Sequence, residues 1–279
     1  LPANFARDAG AAYGKMLTAC VQDPACATGY AGVGAQVDEL LASLDRQPRK
    51  LTVADPLTGN PREMALTRDG VLGAIFSTLY APELAALLPD ALSRARQGNF
   101  GPLMAMSAAF TDGMEDKMAM GMRFAVVCAE DVPRYAGWQT GSETLAPFGV
   151  LFEREFARAC EAWPRGEMAK DFDQPVVSAK PVLIMSGGLD PVTPPSFGDE
   201  VKQSFSNALH LVAPNVGHGV SGRGCAPKLI KKFIETASVA GLDGKCLERL
   251  PRPTFYQPMK LREPDGAAPA DSRKSEAAK

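Results

Sequence analysis

Two side chains suited to proton transfer stand in turns that would present them. Asp190 lies in residues 181–195, PVLIMSGGLDPVTPP, where an apolar run gives way to a glycine turn and then to the acid. His218 lies in APNVGHGV, between two glycines and just after a second apolar run. A carboxylate that accepts a hydrogen bond from one imidazole nitrogen fixes the tautomer and frees the other nitrogen to take the proton of a nucleophilic hydroxyl. It also stabilises the imidazolium that forms. Taken singly, Asp190 can cap the turn before Pro191, and His218 can be a loop residue bonded to backbone. Taken together, 28 residues apart and each following a strand-like run, they predict a catalytic acid and base.

Such a pair needs two neighbouring strands. Residues 182–185 form a short continuous apolar run, the pattern of a central parallel strand covered on both faces, and residues 208–212 form a second. Residues 197–205 between them suit a crossover helix, and residues 226–240 an amphipathic helix carrying Leu229, Phe233 and Ile234. This is an α/β unit, and in open α/β sheets functional groups gather at the carboxyl ends of the strands. His210, inside the second strand, is expected to be a packed or edge histidine. Two strands are too few for an independent parallel sheet, so further strands are expected from elsewhere.

Residues 1–165 read as mostly helical. Thr67 stands at an N-cap position, and Val71, Leu72, Ile75, Phe76 and Leu79 follow at helical spacing. Pro82 opens another helical pattern with Leu84, Leu87, Leu88 and Leu92 on one face, ended by Gly98. The Met-rich residues 104–122 are amphipathic and suit either core packing, the more ordinary use of Met, or an adaptable apolar pocket. A short β-branched and aromatic run, 124–127, ends in Cys128-Ala129-Glu130-Asp131, and a helix is expected over 148–163. Residues 166–260 hold the α/β part, and the Pro-, Ala-, Ser-, Lys- and Glu-rich residues 261–279 read as a disordered tail.

With 46% apolar and 22% charged residues, the composition is that of an ordinary globular protein. A formal charge of -2, without a basic block interleaved with aromatics, argues against nucleic acid as a partner. No apolar run approaches the ~20 residues of a membrane span, and LPANFARDAG lacks the layout of a signal peptide. The six cysteines fall along the chain as Cys20 and Cys26, Cys128 and Cys160, Cys225 and Cys246. Neighbour pairing is one of many possible connectivities, and buried free thiols in a reducing compartment are the alternative. With two histidines and no CxxC, a zinc site is the weaker reading, and no metal or cofactor is expected.

LIMSGGLDPVTPP, then APNVGHGV, then Cys225 and Cys246 resemble the carboxy-terminal region of the tripeptidyl-aminopeptidase and prolyl-aminopeptidase group of α/β-hydrolases. LYAPELAALLPDALSRARQGNFGPL and VVCAEDVP resemble that group's helical cap, and together these stretches cover most of residues 10–256. The resemblance implies an α/β-hydrolase fold, with residues 1–165 as cap and 166–260 as the last part of the sheet domain. It also implies Asp190 as triad acid and His218 as general base, in a secreted or periplasmic exopeptidase. The order of acid then base follows that of α/β-hydrolases, whose nucleophile comes first on a GxSxG elbow.

No serine of this chain has glycine two residues away on both sides; Ser186 follows Ile184 and Met185, and Ser221 is followed by Arg223. The chain opens at Leu1 without an initiator Met. The nucleophile, the oxyanion hole and most of the sheet are therefore expected in an amino-terminal segment outside these residues, and residues 1–279 alone are expected to be inactive by the triad route. An exopeptidase must recognise a free α-amino group, for which a partly buried carboxylate is suited. Glu130 and Asp131 are the candidates, against the alternative of a solvated acidic turn. The expected substrate is a peptide, or a small ester if the fold serves an esterase or lipase. A rival of another class is a non-catalytic peptide- or ligand-binding module.

Overall fold

The computed structural model describes residues 2–54, 58–115, 118–137, 147–149 and 151–258. The expected tail, 261–279, lies outside them.

Helices dominate the amino-terminal part. They are α1 (Pro2–Gln22), α2 (Pro24–Gly29), α3 (Val33–Arg46), α4 (Arg68–Leu79), α5 (Pro82–Ala85), α6 (Leu88–Arg96), α7 (Gly101–Glu115), α8 (Met120–Glu130) and α9 (Leu151–Cys160). One apolar core joins them, with Met16, Leu44, Leu72, Ile75, Leu88, Leu92, Leu103 and Phe148 fully buried. The centre is α4. Thr67 caps it by accepting the Gly70 N–H through its hydroxyl, as the sequence predicts. The hydroxyls of Ser77 and Thr78 are buried in it, and each donates to a carbonyl one turn back, so neither is left bare in the core.

Three local expectations change. The single helix predicted after Pro82 is two, because Pro89 has no N–H to continue the first and instead starts the second. Residues 124–127 lie inside α8, where Val127 and Cys128 are buried. Propensity for strand is overridden there by packing against α9, to which the Cys128–Cys160 disulfide ties it. The helical region also contains an antiparallel hairpin, β1 (Arg49–Ala54) with β2 (Pro61–Leu66), which the sequence reading did not include. It turns through Gly59 at φ +72° and packs Leu66 into the core.

In the carboxy-terminal part, β3 (Val182–Gly187) and β4 (Ala208–Ala213) pair in parallel from Val182 opposite Ala208 to Gly187 opposite Ala213. Between them runs α10 (Pro195–Lys202), and after them come α11 (Ala226–Thr236) and α12 (Lys245–Glu248). A small second core of Ala213, Val216, Val220, Ala226 and Leu247 lies under β4. The expectation that β3 is covered on both faces is corrected. Residues 182–185 are half-buried, and among the described residues β4 alone pairs with β3. Ile234, expected on the inner face of its helix, is 72% exposed, and α11 ends at Thr236 rather than at 240.

The two parts are bolted together close to the strand ends. Lys15 of α1 donates to the Gly188 carbonyl, the His218 N–H donates to the Tyr80 carbonyl, and Arg223 pairs with Glu83 through two hydrogen bonds. The disulfides are Cys20–Cys26, Cys128–Cys160 and Cys225–Cys246, the nearest-neighbour set. Among the described residues no helix is long and apolar enough to cross a membrane.

Candidate active site

Asp190 and His218 leave β3 and β4 at their carboxyl ends and meet. Asp190 Oδ1 accepts the backbone N–H groups of Val192 and Thr193 at 2.9 and 2.8 Å, which closes the DPVT turn. Its Oδ2 accepts His218 Nδ1 at 2.9 Å and the Thr193 hydroxyl at 2.8 Å. Turn-capping and pairing with the histidine, alternatives when read from the sequence, are thus done by different oxygens of one carboxylate. Among the described residues nothing hydrogen-bonds His218 Nε2, and the ring packs edge-on against Tyr80 with centroids 5.3 Å apart.

Close backbone approach holds the loops. A Cβ on Gly187 would overlap the carbonyl oxygens of Gly217 and Val216, so the strand end and the His218 loop touch main chain to main chain. Only glycine permits that.

The electrostatics follow from the pairing. Burial would raise the Asp190 carboxyl, but hydrogen bonds from His218, Thr193 and Val192, with the imidazolium charge, outweigh it and hold the group below its ordinary value. His218 is raised, first by its hydrogen bond to Asp190 and then by that charge, against an opposing effect of burial. The stability contributed by His218 is therefore present below the ordinary imidazole value and lost as pH rises through the raised one. That of Asp190 is present above the ordinary carboxyl value and lost as pH falls through the lowered one. In an NMR titration His218 is expected to titrate above ~6.5, and Asp190→Asn should return it to or below that value. An unchanged midpoint in the variant would exclude the pairing in solution.

The pair stands between two cavities. One of about 680 Å³ is lined mainly by apolar groups from α8 and its approach, including Met118, Met122 and Val126, and also by Tyr80, Thr193 and His218. The Met-rich segment thus divides its roles: Met106 is in the core, while Met118 and Met122 face this cavity. Asp131 lines it, as do Arg123 and Arg223; Glu130, its neighbour at the end of α8, is not among the lining residues. The second, about 360 Å³, lies beyond the pair against Ser186 and α10.

Residues 145–246 match the family model described as TAP-like protein. This stretch is similar to the TAP-like α/β-hydrolases. The TAP-like region spans both strands and contains Asp190, Thr193 and His218. No curated protein matches the chain. Three disulfides fit an oxidising compartment outside the cytoplasm.

The TAP-like region also holds a second connected trio. His210 Nε2 bonds the Ser186 hydroxyl at 2.9 Å, and its Nδ1 bonds Asp199 at 2.8 Å. The imidazole side chain is 3% exposed, and a Cβ on Gly198 would stand 2.5 Å from Nε2, so α10 lies directly over it. The trio clamps β3, β4 and α10, in keeping with a packed His210. Sequence reasoning missed Thr193 and Arg123. Thr193 had a signal in the threonine three residues after the acid; Arg123 had none, since its place depends on how α8 packs.

Proposed function

We propose that this chain contributes the acid and the base of a serine hydrolase, a peptidase that releases residues or short peptides from the amino ends of its substrates. The observation that carries it is the 2.9 Å bond between Asp190 Oδ2 and His218 Nδ1, with no hydrogen bond to Nε2 among the described residues and the histidine lining a large apolar cavity. With Nδ1–H fixed by Asp190, Nε2 takes the proton of the attacking hydroxyl. It then returns that proton to the leaving amine as the acyl-enzyme forms, and repeats the cycle with water. Because the base must be neutral, turnover falls as pH drops through the raised His218 value.

The hydroxyl is proposed to come from an amino-terminal segment outside residues 1–279, which would also extend the sheet along β3. The one serine hydroxyl at the strand end, Ser186, is engaged by His210. The α-amino group of the substrate is assigned to Asp131, which faces the cavity, rather than to Glu130. We place the protein in the periplasm or outside the cell, in line with its disulfides.

Aminoacyl-p-nitroanilides should be cleaved and their N-acetylated forms resisted, with Asp131→Asn raising KM on the free-amine series alone by about tenfold or more. The apolar lining favours an esterase as the second reading. Equal turnover of blocked and free substrates, with p-nitrophenyl esters preferred, would establish that reading in place of the exopeptidase.

A further inference from the structure

The large cavity contains two guanidinium groups in different states. Arg223 is neutralised by Glu83 through two hydrogen bonds. Arg123 is not. Among the described residues its one hydrogen bond goes from Nη1 to the thioether sulfur of Met118 at 3.2 Å, and its guanidinium carbon stands 5.2 Å from the ring centroid of Phe156. Among the described residues it pairs with no carboxylate. A thioether is a weak acceptor, so among the described residues a planar fork of donors stands partly buried beside apolar side chains with most of its bonding capacity unused. The Phe156 ring packs against the guanidinium, which limits its motion and removes part of the entropy cost of ordering it for a ligand. Asp131, at the C-cap of α8, lies eight residues further on, about 12 Å along the helix axis, so the cavity offers a positive and a negative pole with apolar wall between them.

We propose that Arg123 binds a carboxylate of the ligand that enters this cavity. The ligand class is a short peptide with apolar side chains that carries a free carboxylate, at its carboxyl end or on an acidic side chain. A guanidinium–carboxylate pair is bidentate and gains strength where apolar walls displace water. This rests on the cavity being the substrate site but not on the reaction.

The test is calorimetric binding of three peptides to the full chain: Ala-Ala-Phe with a free terminal carboxylate, its carboxamide, and the carboxamide of Ala-Glu-Phe. The free acid should bind about 10- to 100-fold more tightly than its amide. Arg123→Gln should erase that difference while leaving the amide unchanged, and Arg123→Lys should keep part of it. A role of Arg123 in packing α8 alone would weaken acid and amide together, and the amide therefore serves as the internal control. Preference for the Ala-Glu-Phe amide over the neutral amide, without preference for the terminal acid, assigns the side chain as the source of the carboxylate. No carboxylate preference, whether all three bind alike or none binds, overturns the assignment. Failure of the hydrolase reading shows separately, as turnover indifferent to His218.

Discussion

His218→Ala is expected to abolish hydrolysis, lowering kcat by about 10⁶ when the nucleophile-bearing segment is present. The physical reason is that in the proposed reaction Nε2 accepts the hydroxyl proton, and among the described residues no other base bonds or pairs with it. Asp190→Asn should cost about 10⁴, although Asn is isosteric and can still take part in the turn. An amide nitrogen at Oδ2 would donate where His218 Nδ1–H now donates, which forces the wrong tautomer and leaves Nε2 protonated. The two substitutions together should cost little more than His218→Ala alone, because acid and base work as a unit. Full turnover in His218→Ala, measured on the best p-nitroanilide, would exclude the triad mechanism. The binding of uncleaved peptides should change little in either variant, which separates lost chemistry from lost folding.

Gly187→Ala is expected to be nearly as damaging although it adds one methyl group and removes no polar or titratable side chain. Its Cβ would occupy the space of the Gly217 and Val216 carbonyls, which are backbone and cannot swing aside. Either the end of β3 or the loop bearing His218 must move. Overpacking of this kind costs about 3 kcal/mol or more. A displaced loop also breaks the bond to Asp190, so His218 should titrate at its ordinary value in whatever fraction stays folded. Gly73, inside α4, has open space around its position, so Gly73→Ala should be neutral or stabilising, since alanine is the better helix former. Denaturant midpoints of the two variants, with the NMR titration of the first, provide the check. Equal midpoints for Gly187→Ala and the unsubstituted chain would show that the loops do not meet as described.

Local rules carried far where the signal is local. Thr67 as a cap, the α/β alternation after residue 180, and the glycine-flanked acid and histidine are all legible in a few consecutive residues. The β3–β4 register brings those last two side chains together without further help. Where a longer-range force decides, the sequence misleads. Residues 124–127 favour strand by composition, but the buried Cys128–Cys160 link and the apolar face of α9 hold them in a helix. Residues 182–185 look like a doubly covered strand, and yet among the described residues they have a partner on one side. The apolar run reports the environment for which the strand is suited, and the half-exposed state reports which neighbours are in place. Ile234 at 72% exposure reads the same way.

By itself, the order of residues determined that an aspartate and a histidine follow two strands, because residue type and turn-forming residues are properties of short segments. It also marked six cysteines in neighbouring pairs. Tertiary structure alone decided that one carboxylate oxygen serves the turn while the other serves the imidazole, and that Asp131 rather than Glu130 faces the cavity. Among the described residues it likewise left Arg123 without a carboxylate partner. Those outcomes depend on which atoms of distant segments arrive within about 3 Å of each other, and that distance is set by the packing of whole helices and strands.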